Sequence, residues 1–160
     1  MTVDKSNFWA ENFYKHPPLT DKTIMSAEFA LKVQLPKLLI ELLKIQNGGY
    51  TKGFRFPMKQ KTSWAEDHVP FNEMFGIVTD KSIDTAQNIL DSDYMTKEWG
   101  LPEKQVLLSG DGHYWISLDF RNNSIPSVRW LDMENNEDIH IANCFDDFIN
   151  GLVKEDKHTE

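Results

Sequence analysis

Cysteine is nearly absent from this 160-residue chain, since Cys144 is the only one. A single cysteine excludes an intramolecular disulfide and a cysteine-rich zinc site, and it is typical of proteins from a reducing compartment. Long apolar runs are also missing: the longest, from Leu38 to Leu43, is interrupted by Glu41 and falls well short of the ~20 residues that span a membrane. The first residues show no secretion-signal pattern. We therefore expect a soluble, cytoplasmic protein with no membrane partner.

Basic residues are in deficit, because 17 Lys and Arg stand against 25 Asp and Glu, for a formal net charge of −8. Binding to the phosphate backbone of nucleic acids requires a dense basic face, so the charge argues against nucleic acid as the main partner. Complementary charge steers association between proteins, and a basic protein is the partner that this composition favours.

Apolar periodicity and local start and stop signals predict the elements of the chain. Helices are predicted over residues 7–15, 20–32, 37–46, 82–90 and 92–99, with a last one that Asn143 caps. Strands are predicted over 50–56, 74–78, 106–108, 114–120 and 126–131, with a short edge strand at Ile139 and Ile141. This order predicts an α+β fold with a central antiparallel sheet of about five to six strands flanked by helices. We expect a single domain over 1–153 and a charged tail over 154–160.

Two series of short motifs stand in order along residues 24–152. The first is ALKVQLP (30–36), a leucine-rich helix and NGG (47–49); the second is WGLP (99–102), GDG (110–112), a strand ending LD (118–119), PSVRW (126–130) and CFDDF (144–148). The order resembles that of the SUKH superfamily, which includes a yeast cell-wall-synthesis regulator and many bacterial toxin-immunity proteins. Lys32 stands where that family often has glycine.

The resemblance implies a domain that has no enzymatic chemistry, takes no cofactor and binds another protein. In bacteria the partner is typically a toxin, often a nuclease or a deaminase, which is neutralised in the cytoplasm. In fungi, relatives regulate cell-wall synthesis. We therefore expect an immunity protein that binds a basic toxin domain encoded nearby, with a regulatory scaffold for an endogenous partner as the alternative.

The stretch LLSGDGHYWISLD (107–119) has the residue types of a nucleophile centre, with Ser109, Asp111 and His113 at a spacing of two. Catalytic triads are usually assembled from residues far apart in sequence, and Gly110 and Gly112 favour a hairpin turn. Phosphate-loop motifs are absent and the histidines are scattered, so neither a phosphate site nor a metal site is expected.

The remaining candidates are residues for contact with a protein partner. Trp64 lies in the polar loop 59–70, and tryptophan is enriched at interface hot spots. Acidic runs and the exposed turn residues complete the predicted partner-binding set: Trp64, Glu66, Asp67, Asp91, Asp93, Asp111, His113, Glu134, Glu137 and Asp138. For the acids, the alternative is an ordinary solvated face.

Overall fold

Residues 4–155 are described by the computed structural model, with four helices and seven strands in that range. The helices are α1 (Asp21–Leu31), α2 (Lys37–Ile45), α3 (Ser92–Trp99) and α4 (Phe145–Gly151), with short 3-10 helices at Lys5–Asn7, Ile89–Asp91 and Met133–Asn135. Within those residues, none of the helices is long and apolar enough to cross a membrane. Residues 156–160 of the predicted charged tail lie outside the described part of the chain.

All of the strand pairs are antiparallel, and they form two sheets. The strands are β1 (Gly49–Pro57), β2 (His68–Met74), β3 (Gln105–Gly110), β4 (Trp115–Asp119), β5 (Ser127–Asp132), β6 (Glu137–Ala142) and β7 (Val153–Lys154). One sheet has the order β2-β1-β7 and the other has the order β3-β4-β5-β6. The predicted α+β class is therefore confirmed, with the strands divided between two sheets.

Local capping accounts for the start and end of α1. The Thr20 hydroxyl accepts the Thr23 N–H, and the Thr23 hydroxyl accepts the Thr20 N–H, which is a reciprocal capping box. The helix ends at Leu31, and Lys32, which follows it, has a left-handed φ of 60°. Helix α2 begins directly after Pro36, whose fixed φ suits a helix start.

One apolar core lies between the helices and the two sheets. Strand β4 is buried along its whole length. From α4, Phe148 packs edge-on against Phe71 of β2, with ring centroids 4.9 Å apart, and stacks on Phe56 of β1 at 5.3 Å. Between the sheets, the Phe75 N–H donates to the Leu108 carbonyl at 2.7 Å. The ring contacts therefore fix α4 on the three-stranded sheet, and the hydrogen bond from Phe75 joins the segment after β2 to β3 of the four-stranded sheet.

The predicted N-terminal helix over 7–15 is wrong. Only Lys5–Asn7 is helical, and the chain then runs beside β1, where Trp9 bridges to Thr51. The Trp9 indole N–H donates to the Leu42 carbonyl at 2.9 Å. The aromatic spacing that suggested a helix serves contact with β1 and α2 instead.

The predicted strand over 74–78 is wrong in its position, and the predicted helix over 82–90 is wrong for most of its length. Strand β2 ends at Met74, where the predicted strand begins, and of 82–90 only Ile89 and Leu90 are helical, as the start of a 3-10 turn. Near the C-terminus, Lys154 belongs to β7 and pairs with Phe54 of β1, although it was predicted to lie in the charged tail. The N-cap residue of α4 is Cys144, whereas Asn143 was predicted for that position.

Candidate partner-binding surface

The turn between β3 and β4 lies at one end of the four-stranded sheet, where Gly110 pairs with Trp115. A Cβ on Gly110 would overlap the Tyr114 carbonyl, and its φ of 153° lies at the edge of the range that favours glycine. The Asp111 carboxylate accepts the His113 N–H at 2.9 Å, which closes the turn and leaves both side chains exposed. The predicted hairpin is confirmed.

This geometry differs from that of a nucleophile centre. Ser109 is 1% exposed, whereas the His113 side chain is 79% exposed and bonds to Glu134. Within residues 4–155, no group of three or more His, Cys, Asp or Glu side chains could hold a metal ion.

Three aromatic rings from separate parts of the chain pack in a row beside the turn. Tyr114 is the middle ring. It stacks on Trp130, with ring centroids 4.6 Å apart and planes 8° from parallel. On its other side lies Trp64, with ring centroids 5.4 Å apart. We call Trp64, Tyr114 and Trp130 the aromatic stack. Trp130 is fully buried and Trp64 is 48% exposed. The stack therefore extends from the core to the surface and ends in a half-exposed indole.

Hydrogen bonds that Ser63 donates to Glu137 and Asp132 hold the loop that carries Trp64. The Glu137 carboxylate accepts both the Ser63 N–H and the Trp130 indole N–H, each at 2.9 Å. The Ser63 hydroxyl donates to Asp132, and the Thr62 hydroxyl accepts the Trp64 N–H at 3.1 Å. Because these bonds fix its backbone, Trp64 is presented in a defined position.

Carboxylates dominate the charge around the stack. The His113 ring donates to Glu134 at 3.1 Å, and this hydrogen bond, with the nearby charge of Asp111, raises the pKa of His113. Burial raises the pKa of Tyr114 to about 12, and the charges of Asp111 and Glu73 add to that shift. Among residues 4–155, neither Asp111 nor Glu73 forms an ion pair with a base. The surface can therefore accept a positively charged group.

The structure brings together five of the predicted partner-binding residues: Trp64, Asp111, His113, Glu134 and Glu137. Within this group Glu137 is committed to internal bonds. Asp138 is likewise internal, because it pairs with both Arg121 and Arg129.

The other four predicted residues are engaged elsewhere. Glu66 pairs with Lys61 at 3.9 Å, and Asp67 pairs with His68 at 2.9 Å. On α3, Asp93 pairs with Lys97. Asp91 precedes that helix, and partial burial raises its pKa. Of these four, none is joined to the aromatic stack by a described contact.

Sequence reasoning missed Tyr114 and Glu73. Tyr114 lies in the LLSGDGHYWISLD stretch, directly after the turn and before the buried strand. That position is the sequence signal by which it could have been identified as a surface residue. Glu73 carries no such signal, because its burial depends on the packing of β2 beside the turn. Burial raises the pKa of Glu73, and the charge of Asp111 raises it further.

Comparison with known families identifies a matching family model. A family model described as SUKH_6, SMI1-KNR4 cell-wall, matches residues 21–149, which include every motif of both series and all of the four-stranded sheet. A comparison with the curated proteins finds no match.

Proposed function

This chain belongs to the SUKH family, with the SMI1-KNR4 proteins, and from that membership we propose that it is a non-catalytic module that binds a basic protein. The partner that we propose is a bacterial toxin domain of the nuclease or deaminase type, encoded nearby. Stoichiometric binding in the cytoplasm would neutralise the toxin by covering its working surface.

The observation that carries this proposal is the half-exposed indole of Trp64 at the end of the aromatic stack. Tryptophan and tyrosine dominate interface hot spots, and a side chain that is already ordered loses little entropy on binding. Trp130 lies in the core, and Glu137 accepts hydrogen bonds both from its indole and from Ser63 in the loop of Trp64. The Trp64 indole is therefore ordered before a partner binds.

Charge supports the same surface. Asp111 and Glu73 lie close enough to Tyr114 to raise its pKa, Glu134 bonds to His113 of the same turn, and the whole chain carries a net charge of −8. Carboxylates in this arrangement attract a cationic surface and raise the association rate, an effect that salt screens. Nuclease and nucleic-acid deaminase domains bind a polyanion and therefore present cationic clefts, which makes them suitable partners.

The test is binding of the purified chain to toxin domains encoded beside its gene, measured by calorimetry, together with rescue of growth on co-expression. We expect Trp64→Ala to weaken binding by about 30-fold or more, which is a hot-spot effect of about 2 kcal/mol. Tyr94→Ala is the matched control, because Tyr94 is also an exposed aromatic residue but lies on α3. If no neighbouring toxin binds, or if Trp64→Ala binds as tightly as the unmodified chain, the proposal is wrong.

The alternative is a regulatory scaffold for an endogenous partner, favoured by the cell-wall description of the matching family. Deletion of the gene in a strain without the toxin separates the two functions. A growth or envelope defect under those conditions would favour the scaffold over the immunity protein.

A further inference from the structure

We propose that a groove at the opposite end of the four-stranded sheet binds an amphipathic helix of a protein partner, with an apolar face flanked by carboxylates. The groove opens beside the sheet end where Gln105 pairs with Asp119. The turn of the aromatic stack is at the other end of β4, roughly 14 Å away for a five-residue strand. This second surface is therefore independent of the one in the proposed function.

The size and lining of the groove fit a helix. Its volume is about 1750 Å³, which exceeds the roughly 300–1,000 Å³ of small-molecule pockets. Phe29 and Leu31 of α1 line one part, and Ile125 and Phe120 line another. Phe29 is 87% exposed and Ile125 is 68% exposed, so two large apolar side chains are available to contact an occupant. Amphipathic helices bind in apolar grooves of this kind.

The charges of the groove favour an acidic occupant. Its four lining lysines are Lys32, Lys37, Lys81 and Lys104, and within residues 4–155 none of them forms an ion pair. Four acids also line it, but Asp93 pairs with Lys97, which lies outside the lining. Glu28, which accepts the Leu35 N–H at 2.7 Å, Glu103 and Asp146 form no ion pair among the described residues, so four unpaired lysines face three unpaired carboxylates in a chain whose net charge is −8.

Backbone conformation singles out two of these lysines. Lys32 has a φ of 60° and Lys104 has a φ of 59°, the left-handed region in which glycine is favoured over residues with a Cβ. At Lys32 this conformation ends α1, a position at which glycine is the usual residue. Both lysines line the groove, which is consistent with a requirement for their positive charge there.

A displayed library of helical peptides of about 16 residues, or about 24 Å, tests the proposal with the full chain as the target. Apolar residues are held at one helical face, and the flanking positions vary among Glu, Gln and Lys. We expect selection to enrich Glu over Lys at the flanks. In fluorescence anisotropy with a selected peptide, Phe29→Asp should weaken binding by about tenfold or more.

Glycine variants separate binding from folding. Lys32→Gly and Lys104→Gly should each raise the thermal midpoint by about 2–4 °C, because strain is relieved, yet weaken peptide binding about two- to fivefold. Trp64→Ala should leave peptide binding unchanged, so failure here is distinguishable from failure of the proposed function. Enrichment of Lys, absence of selected peptides, or glycine variants with unchanged affinity would overturn the proposal. So would a dimer of the chain that Phe29→Asp abolishes, because the groove would then be a self-interface.

Discussion

The side chain of Asn47 pairs with both backbone groups of Ile77. Its Oδ1 accepts the Ile77 N–H and its Nδ2 donates to the Ile77 carbonyl, each at 2.7 Å. The same Nδ2 donates to the Pro17 carbonyl at 2.8 Å, and Asn47 is 5% exposed. A side-chain amide thus takes the place of a neighbouring strand for a buried segment, whose backbone polar groups must be bonded. Asn47, which follows α2, thereby joins the segment before α1, at Pro17, to the segment after β2, at Ile77.

We expect Asn47→Ala to lower the free energy of unfolding by about 2–4 kcal/mol, because it leaves buried backbone groups of Ile77 without partners. Urea denaturation measures the change. The control is Asn150→Ala, an exposed position on α4, which should change stability by less than about 0.5 kcal/mol. A loss below about 1 kcal/mol at Asn47 would show that water satisfies these groups.

We expect Gly76→Ala to destabilise the fold by about 3 kcal/mol or more, because the new Cβ would overlap the Asn47 carbonyl and neither backbone can easily move. Gly53→Ala is the comparison, since its Cβ would meet nothing within 4 Å but its φ is 90°. The free energy of unfolding of that variant should fall by only about 1–2 kcal/mol, the cost of placing a residue with a Cβ at a positive φ. Equal losses in urea denaturation would contradict the steric explanation.

The Asp119 carboxylate predicts an acid-sensitive part of the stability. Burial disfavours its charged form, but hydrogen bonds from Arg121 and Gln105 outweigh this and lower its pKa. A lowered pKa adds stability above the unfolded value of about 3.9, and this stability is lost as the pH falls through the folded value. We expect Asp119→Asn to lose about 1–3 kcal/mol at about pH 7 and much less at about pH 3 in urea denaturation.

Asp93→Asn is the matched control for Asp119, because its pair with Lys97 is exposed. It should lose less than about 0.5 kcal/mol at either pH. If Asp119→Asn loses the same amount at both pH values, the effect comes from packing and the charge explanation fails.

The contact between His113 and Glu134 predicts a raised histidine pKa that depends on Glu134. The hydrogen bond to Glu134 raises the pKa of His113, and the charges of Asp111 and Asp132 add to it. Stabilisation from this pair is therefore present below the unfolded value of about 6.5 and is lost as the pH rises through the folded value. We expect an NMR titration to show His113 above its ordinary pKa, and Glu134→Gln to return it towards that value.

Glu98→Gln, which removes an exposed carboxylate of α3, is the control and should leave the His113 titration unchanged. An unaltered His113 pKa in Glu134→Gln would rule out the contact in solution. For the proposed basic partner, protonation of His113 adds positive charge to the surface, so binding should weaken as the pH falls through this pKa.

Elements with local signals are those that the sequence predicts well. The Thr20 cap and Pro36 define the starts of α1 and α2, and the glycines around Asp111 define the β3-β4 hairpin. The residues needed for each feature are neighbours in the chain, so their pattern is readable without knowledge of the fold.

Segment 75–78 shows why other elements were mispredicted. It is as buried as a central strand, which explains its strand-like composition. Its backbone is hydrogen-bonded mainly to side chains from other segments. The Asn47 side chain accepts the Ile77 N–H. The Asn88 side chain accepts the Val78 N–H at 3.1 Å and donates to the Val78 carbonyl at 2.9 Å. Since a sequence pattern reports burial but not the partner of each backbone group, strand and irregular segment look alike.

The α+β class and the SUKH family can be read from the sequence, because periodicity, caps and turns depend on residues that are close together in the chain and the motifs keep their order along it. Which acids are exposed follows from the tertiary structure: Glu134 faces the surface, whereas Glu137 and Asp138 are held by internal donors. The tertiary structure also placed Trp64 on Tyr114, 50 positions later in the sequence, and the groove at the other end of the sheet. These relationships depend on strand register and packing between distant segments, which no local pattern encodes.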